Sequence, residues 1–141
     1  HTLLSNFDID RYCIVDLPNA LQLSRRYLEA VLDEAAFQKL SFISVAEFSP
    51  AELLGIDVAI EFSRPEFAVS NIKKCFDANV PVVVGTTGWY DYLDEIETIC
   101  VARNQTLLYA TNFSIGVNLF FKLNTHFKNK GGRKDPKLLN F

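Results

Sequence analysis

Three observations predict an α/β fold with a doubly wound, mainly parallel sheet and helices on both faces. Short apolar runs rich in β-branched residues alternate with segments whose apolar residues recur at helical spacing. The connections are short, and Pro81–Val84 is apolar throughout, as in strands covered on both faces. Right-handed crossovers between such strands give a Rossmann-like layout, which we expect to extend over residues 1–127.

The first part of the chain is predicted to form two strands separated by a helix. Tyr12–Val15 and Leu40–Val45 are short runs with strand composition. The helix is expected to begin near Asn19, a plausible N-cap residue that follows Pro18. Its apolar stripe at helical spacing consists of Ala20, Leu23, Tyr27, Val31 and Ala35, and Leu28 and Leu32 widen it.

The third strand, Asp57–Phe62, is followed by a signal for the start of a helix. Ser63 can cap, Pro65 suits an early helical position, and Glu66 follows Ser63 by three residues as in a capping box. This helix is expected to bury its apolar face, which consists of Ala68, Ile72, Cys75 and Phe76.

The rest of the chain continues the alternation of strand and helix. After the strand Pro81–Val84 we predict a helix over about Asp91–Arg103, a strand over Leu107–Ala110 and a helix over about Gly116–Phe127. Residues 128–141 lack periodicity and are predicted to be a flexible tail. The last helix is expected to turn four apolar residues inward, namely Val117, Phe120, Phe121 and Leu123.

Composition and charge exclude several classes of function. The chain has 141 residues with 49% hydrophobic side chains, enough for about one domain, and a formal net charge of −3. Because phosphate binding needs a basic surface, a nucleic-acid partner is not expected. No apolar run is long enough to cross a membrane. Three scattered cysteines match neither a disulfide framework nor a metal site, and they fit a reducing, cytoplasmic setting.

Polar residues follow three predicted strands, where a parallel sheet binds its ligands. If Val84 and Tyr109 close neighbouring strands, the residues after them face one cleft. Glycines there would allow close approach of a ligand, and the hydroxyls would offer hydrogen bonds. An ordinary turn explains the same residue types equally well. The three segments are Phe62-Ser63-Arg64-Pro65, Gly85-Thr86-Thr87-Gly88 and Ala110-Thr111-Asn112-Phe113-Ser114.

No catalytic residue is assigned from the sequence. His126 is a lone histidine late in the last helix, which is more typical of a helix-end residue than of an acid or base. Asp16 follows a strand, where an acid can hold a ribose, but no glycine-rich loop precedes it. A turn residue before Pro18 is the alternative.

The order and spacing of three segments together resemble one known family. These segments are Asp57–Glu66, Pro81–Tyr90 and Leu108–Leu119. They are similar to 4-hydroxy-tetrahydrodipicolinate reductase (dihydrodipicolinate reductase) over about residues 57–125. The resemblance implies a Rossmann domain that binds NADH or NADPH, hydride transfer to a cyclic imine-type dicarboxylate, a role in lysine and diaminopimelate biosynthesis, and a homo-oligomer.

The resemblance also implies nine cofactor contacts on the nicotinamide side. They are Phe62, Ser63, Gly85, Thr86, Thr87, Ala110, Thr111, Asn112 and Phe113. The family's glycine-rich phosphate loop and its histidine and lysine segment have no counterpart here, so the fold is expected to be incomplete relative to the family. We therefore carry over no catalytic residue and expect a fragment that is not catalytically complete.

Residues 1–56 support an alternative. The run Tyr12–Leu28 weakly resembles the second strand and helix of an S-adenosylmethionine-dependent sugar O-methyltransferase, with Asp16 as the ribose-binding acid. A junction between two families would then lie near residue 56. A third hypothesis is a recombined or designed α/β scaffold that is not catalytic.

Overall fold

The structure, a computed structural model, describes residues 2–131. By its internal contacts the chain divides into two compact units, His1–Glu52 and Leu53–Phe141. Each unit contains parallel strands flanked by helices, so the predicted α/β, Rossmann-like fold class is confirmed. The extent of the domain over residues 1–127 stays a prediction.

The first unit is a parallel pair of strands with helices between and before them. The strands pair in register from Tyr12 with Leu40 to Asp16 with Ser44, as the alternation of strand and helix led us to expect. Its elements are α1 (Thr2–Asn6), β1 (Tyr12–Asp16), α2 (Pro18–Val31), α3 (Glu34–Gln38) and β2 (Leu40–Ser44).

Helix α2 differs from the prediction in its start and in its buried face. It begins at Pro18 with Leu17 as N-cap, because proline lacks the N–H that a first helical residue would leave unpaired. Leu21 is the buried residue, whereas Leu23 and Tyr27 of the predicted stripe are 71% and 60% exposed. The helix therefore turns a neighbouring face, rotated by about one residue, toward β1 and β2.

The second unit contains a three-stranded parallel sheet in the order β3-β4-β5. Val84 pairs in register with Glu61 on one side and with Tyr109 on the other. The expectation that Val84 and Tyr109 close neighbouring strands is confirmed. The elements are β3 (Ala59–Glu61), α4 (Pro65–Asp77), β4 (Val82–Val84), α5 (Leu93–Ala102), β5 (Leu107–Tyr109) and α6 (Ile115–Gly131), with 3₁₀ turns at Pro50–Leu53 and Tyr90–Tyr92.

Helices α4 and α5 form the covered side of this sheet. Each is a crossover between neighbouring parallel strands that advance in one direction, and right-handed crossovers then place both helices on the same face. The two helices contact each other, and Lys73 Nζ lies 2.6 Å from Glu95 Oε1 between them. The buried core includes the four residues predicted for α4, together with Val80, Val82, Val84, Trp89 and Ile96.

The predicted inner face of α6 is wrong for its large residues. Phe120, Phe121 and Leu123 are 59%, 43% and 55% exposed. Helical periodicity marks an apolar face, but it does not supply the element against which that face packs. The helix also runs beyond the predicted end at Phe127 to Gly131. The predicted flexible tail is thus helical over residues 128–131, and its remainder, residues 132–141, lies outside the described residues.

Among residues 2–131, no helix is long and apolar enough to cross a membrane. Over the same range, the structure has no group of three or more histidine, cysteine or acidic side chains that could hold a metal ion.

Candidate functional site

A cleft of about 240 Å³ opens at the carboxyl ends of β3 and β4. The two strand ends lie side by side because the Gly85 backbone N–H donates to the Glu61 carbonyl at 2.9 Å. Five of the nine predicted cofactor contacts line this cleft, together with Pro65 from the first predicted strand-end segment. The lining residues are Phe62, Ser63, Pro65, Gly85, Thr86 and Thr87.

Gly85 is the point of closest approach between the two strand ends. A Cβ atom built on Gly85 would overlap the Cε1 and Cζ atoms of the Phe62 ring, far inside the 3.0 Å limit of real Cβ contacts. The ring of Phe62 can lie against the backbone only because residue 85 has no side chain. Phe62 itself is 67% exposed, so its ring forms a wall of the cleft and is not part of the core.

Thr86 and Thr87 differ in what they offer to the cleft. Thr86 is 6% exposed, and its Oγ1 has no hydrogen-bond partner among the described residues. Its carbonyl accepts a hydrogen bond from Trp89 Nε1 at 2.9 Å, which holds the turn against the core. Thr87 is exposed. Gly88 has a φ of 82°, and few residues other than glycine adopt that value.

The segment after β5 approaches the cleft from the next strand. The Ala110 backbone N–H donates to the Val84 carbonyl at 3.3 Å. The rings of Phe113 and Phe62 lie 6.2 Å apart between centroids. Asn112 Oδ1 accepts from the Ser114 backbone N–H at 2.7 Å, so that side chain shapes the loop. Ala110, Thr111, Asn112 and Phe113 therefore lie at the neighbouring strand end and do not line the 240 Å³ cleft.

Ser63 has a role that differs from the predicted helix cap. Arg64 is the N-cap residue of α4, and no side chain caps the helix. The Ser63 hydroxyl instead donates to Glu61 Oε1. Glu61, only 7% exposed at the end of β3, is a functional candidate that the sequence reasoning missed. The sequence feature that could have revealed Glu61 is the presence of a carboxylate within an otherwise apolar strand.

The buried carboxylate of Glu61 influences the thiol of Cys75 on α4. Burial, reinforced by the negative charge of Glu61, raises the pKa of Cys75 from its ordinary 9.0 to about 11. The thiol therefore stays protonated and behaves as a small apolar core residue, as the sequence predicted.

The raised pKa of Cys75 predicts a specific loss of stability in alkali. The folded state favours the protonated thiol, so this contribution is complete below pH 9 and is lost as the pH rises toward 11. Between pH 8 and pH 10.5 we expect the free energy of unfolding to fall by about 2 kcal/mol more in the wild type than in Cys75→Ala. Urea unfolding followed by tryptophan fluorescence measures this difference.

The comparison with Cys75→Ala isolates the contribution of the Cys75 thiol to the pH dependence of stability. Burial also raises the pKa values of Tyr90 and Tyr109, but both tyrosines are present in both proteins and their contributions cancel. Equal losses in the two proteins would mean that the thiol ionises as readily in the folded chain as in the unfolded one.

The cleft is small, open and partly apolar. Its volume is below the ~300–1,000 Å³ of pockets that hold whole drug-sized ligands, so it suits one ring with its substituent. The ring of Phe62 provides a flat apolar wall, and the buried Thr86 Oγ1 lacks a hydrogen-bond partner among the described residues. Thr86 Oγ1 itself is buried in the fold, so Thr86 lines the cleft without presenting its hydroxyl to it.

Comparisons with known proteins point to one family. The family described as "Dihydrodipicolinate reductase, N-terminus" matches residues 24–113. A 4-hydroxy-tetrahydrodipicolinate reductase of Christiangramia forsetii is 52% identical over 69 residues, which is 49% of this chain and 29% of that protein. Reductases of the same name from Thiobacillus denitrificans and Neisseria gonorrhoeae are each 35% identical, over 63% and 57% of this chain and 33% and 30% of theirs. The chain thus spans about a third of the length of the relatives it matches.

The methyltransferase alternative gains no support from these comparisons. The family match begins at residue 24, inside the segment that suggested it. Asp16 Oδ1 accepts a hydrogen bond from the Leu17 backbone N–H at 2.7 Å, which is the contact of a turn residue.

Proposed function

The chain belongs to the N-terminal family of dihydrodipicolinate reductase, and from that premise we propose that it binds the nicotinamide half of NADH or NADPH in the cleft after β3 and β4. One observation carries the proposal. Phe62, Ser63 and the segment Gly85-Thr86-Thr87, which are far apart in sequence, line one cleft at the carboxyl edge of a parallel sheet.

Several lining residues have a role in this proposal. Gly85 lets the Phe62 ring lie against the backbone because no side chain intervenes, and it thereby sets the position of that wall of the cleft. Phe62 lines the cleft and excludes water from one apolar face of the ring, and Phe113 packs against Phe62 from the neighbouring strand end. Thr87, an exposed residue of the lining, offers its hydroxyl as a hydrogen-bond partner for the carboxamide or the ribose. Ala110, Thr111 and Asn112 approach from the neighbouring strand end through their backbone.

The reaction of the whole protein is part of the proposal. The bound reduced nicotinamide supplies a hydride, and the relatives are named for the reduction of 4-hydroxy-tetrahydrodipicolinate. We infer that this chain provides the cofactor side of such a reductase in lysine and diaminopimelate biosynthesis, with a small dicarboxylate as substrate. Hydride transfer also needs an oriented substrate and a proton donor, and no residue described here is assigned to either task.

The cellular setting follows from the same reasoning. We propose a cytoplasmic protein that functions as a homo-oligomer and has no nucleic-acid partner. A net charge of −3 supports the last point, because a nucleic-acid surface needs clustered positive charge.

Cofactor titration tests the proposal directly. Trp89 is the chain's one tryptophan, and it is joined to the cleft by its hydrogen bond to Thr86. NADH absorbs where tryptophan emits, so binding is expected to quench the fluorescence of Trp89 with a dissociation constant of about 1 mM or lower, equivalent to about −4 kcal/mol. S-adenosylmethionine serves as the control and is expected to leave the emission unchanged. Saturable binding of that compound, with none of NADH or NADPH, would overturn the proposal in favour of the methyltransferase alternative.

A further inference from the structure

A hydrogen-bonded cluster lies directly behind the wall of the cleft. Glu61 Oε1 accepts from the Ser63 backbone N–H at 3.1 Å, from Asn71 Nδ2 at 3.3 Å and from the Ser63 hydroxyl. Three donors on one oxygen match the needs of an ionised carboxylate, which can only accept. Ser63 lines the cleft and Glu61 does not, so the carboxylate acts on the cleft through the serine.

The cluster determines the direction of the Ser63 hydroxyl. A hydroxyl has one proton and two acceptor positions. The proton is directed to Glu61, because the charge-assisted bond is stronger than the alternative bond to the Arg64 carbonyl at 3.4 Å. Asn71 Nδ2 donates to Ser63 Oγ at 3.2 Å and occupies one acceptor position. The second acceptor position is left for the cleft, toward which Ser63 lies exposed.

The burial of the Glu61 carboxylate is expected to lower the stability of the fold. The side chain is 7% exposed, and its Oε2 atom has no hydrogen-bond partner among the described residues. A buried, incompletely paired carboxylate destabilises the fold relative to an apolar residue in the same place. Such a group, retained beside a ligand cleft, is more readily explained by its effect on the cleft than by stability.

We propose that Glu61 is a positioning residue that fixes the Ser63 hydroxyl as a hydrogen-bond acceptor, so that the cleft selects a ring substituent carrying an N–H or O–H donor. This inference rests on the proposed function, under which that substituent is the carboxamide of the nicotinamide. On this proposal the buried Glu61 acts through the direction of the Ser63 hydroxyl. That direction favours an amide over a substituent that can only accept hydrogen bonds.

The proposal predicts a preference between two cofactors. The reduced acetylpyridine analogue of NADH keeps the carbonyl of the carboxamide and replaces its NH₂ group with a methyl group, so it has no donor for Ser63. We expect the wild-type chain to bind NADH about tenfold more tightly than the analogue, as the loss of one hydrogen bond implies. Quenching of Trp89 fluorescence gives both dissociation constants for the full chain.

Substitution of Glu61 is expected to change the ratio of the two dissociation constants. A general loss of affinity would weaken the binding of both compounds equally and leave that ratio unchanged. In Glu61→Gln the amide can donate to Ser63 Oγ, and the hydroxyl proton is then free to point into the cleft. The preference for NADH is expected to fall to about twofold or less. Ser63→Ala, at an exposed position where folding is not at risk, is expected to give the same result. The matched control Glu95→Gln, at a surface residue paired with Lys73, should keep the tenfold preference.

The outcomes separate the two proposals. A wild-type chain that binds neither compound overturns the proposed function, and this inference with it. Equal binding of the two compounds by the wild type overturns only the role of Glu61 and Ser63. A tenfold preference for NADH that persists in either Glu61→Gln or Ser63→Ala likewise overturns only the role of Glu61 and Ser63.

Discussion

Replacement of Gly85 by alanine is expected to weaken NADH binding at least tenfold while the chain remains folded. The added Cβ would overlap the ring of Phe62, and that ring is the group that must move because it is 67% exposed. Displacement of the ring changes the wall of the cleft and leaves the core intact. Cofactor titration combined with circular dichroism distinguishes the loss of binding from unfolding.

Gly116→Ala is the matched control for this substitution. A Cβ atom on Gly116 would meet only Ser114 Oγ, at the ordinary contact distance of 3.8 Å. Gly116 lies in α6, where alanine stabilises a helix by up to ~1 kcal/mol relative to glycine. We expect unchanged cofactor binding and equal or higher stability. A Gly85→Ala variant that binds NADH as tightly as the wild type would contradict the assignment of the cleft to the nicotinamide.

Replacement of Trp89 by alanine is expected to lower the free energy of unfolding by about 3–5 kcal/mol, the usual cost of removing a buried aromatic ring. Trp89 is 1% exposed, and its ring lies 5.2 Å from Tyr90 and 5.6 Å from Tyr109 between centroids. Because whole domains are stable by only ~5–15 kcal/mol, the second unit should be close to unfolding. Thermal unfolding followed by circular dichroism measures the effect, since the variant lacks the fluorescent residue.

Two further substitutions indicate which contact of Trp89 matters. Trp89→Phe keeps an aromatic ring but removes the N–H that donates to the Thr86 carbonyl, at an expected cost of about 1–3 kcal/mol. Tyr92→Ala removes an aromatic side chain that is 54% exposed, and we expect a cost below about 1 kcal/mol. If Trp89→Ala were no more destabilising than Tyr92→Ala, the buried aromatic cluster would not be the core of this unit.

The strand ends illustrate how far reasoning from the sequence reaches. The carboxyl ends of parallel strands share one edge of a sheet, so Phe62-Ser63 and Gly85-Thr86-Thr87 could be predicted to converge once the strands were recognised. The pairing of Val84 with Tyr109 follows from the same rule. Pro65, which belongs to the first strand-end segment and was expected at an early helical position, lines the cleft as the first residue of α4.

The direction of side chains was less predictable than the position of strands. Ser63 has the composition and spacing of a capping residue, yet its hydroxyl bonds to Glu61. The helix begins one residue later than the capping signal implied, with Arg64 as N-cap, so Ser63 lies outside the cap position and its hydroxyl donates to Glu61 instead. The buried face of helix α2 also differs from the predicted one, because Leu21, and not Leu23 or Tyr27, faces the strands.

The sequence by itself determined the alternation of strands and helices, the parallel pairing of the sheet and the edge at which polar residues collect, because periodicity and crossover handedness are properties of short segments. Only the tertiary structure decided which faces are buried, as the exposed apolar residues of α6 show. It also decided which oxygen receives the proton of Ser63. The burial of a helix face depends on elements that folding brings to it from other parts of the chain, and the direction of the Ser63 hydroxyl depends on side-chain conformations, so periodicity records neither.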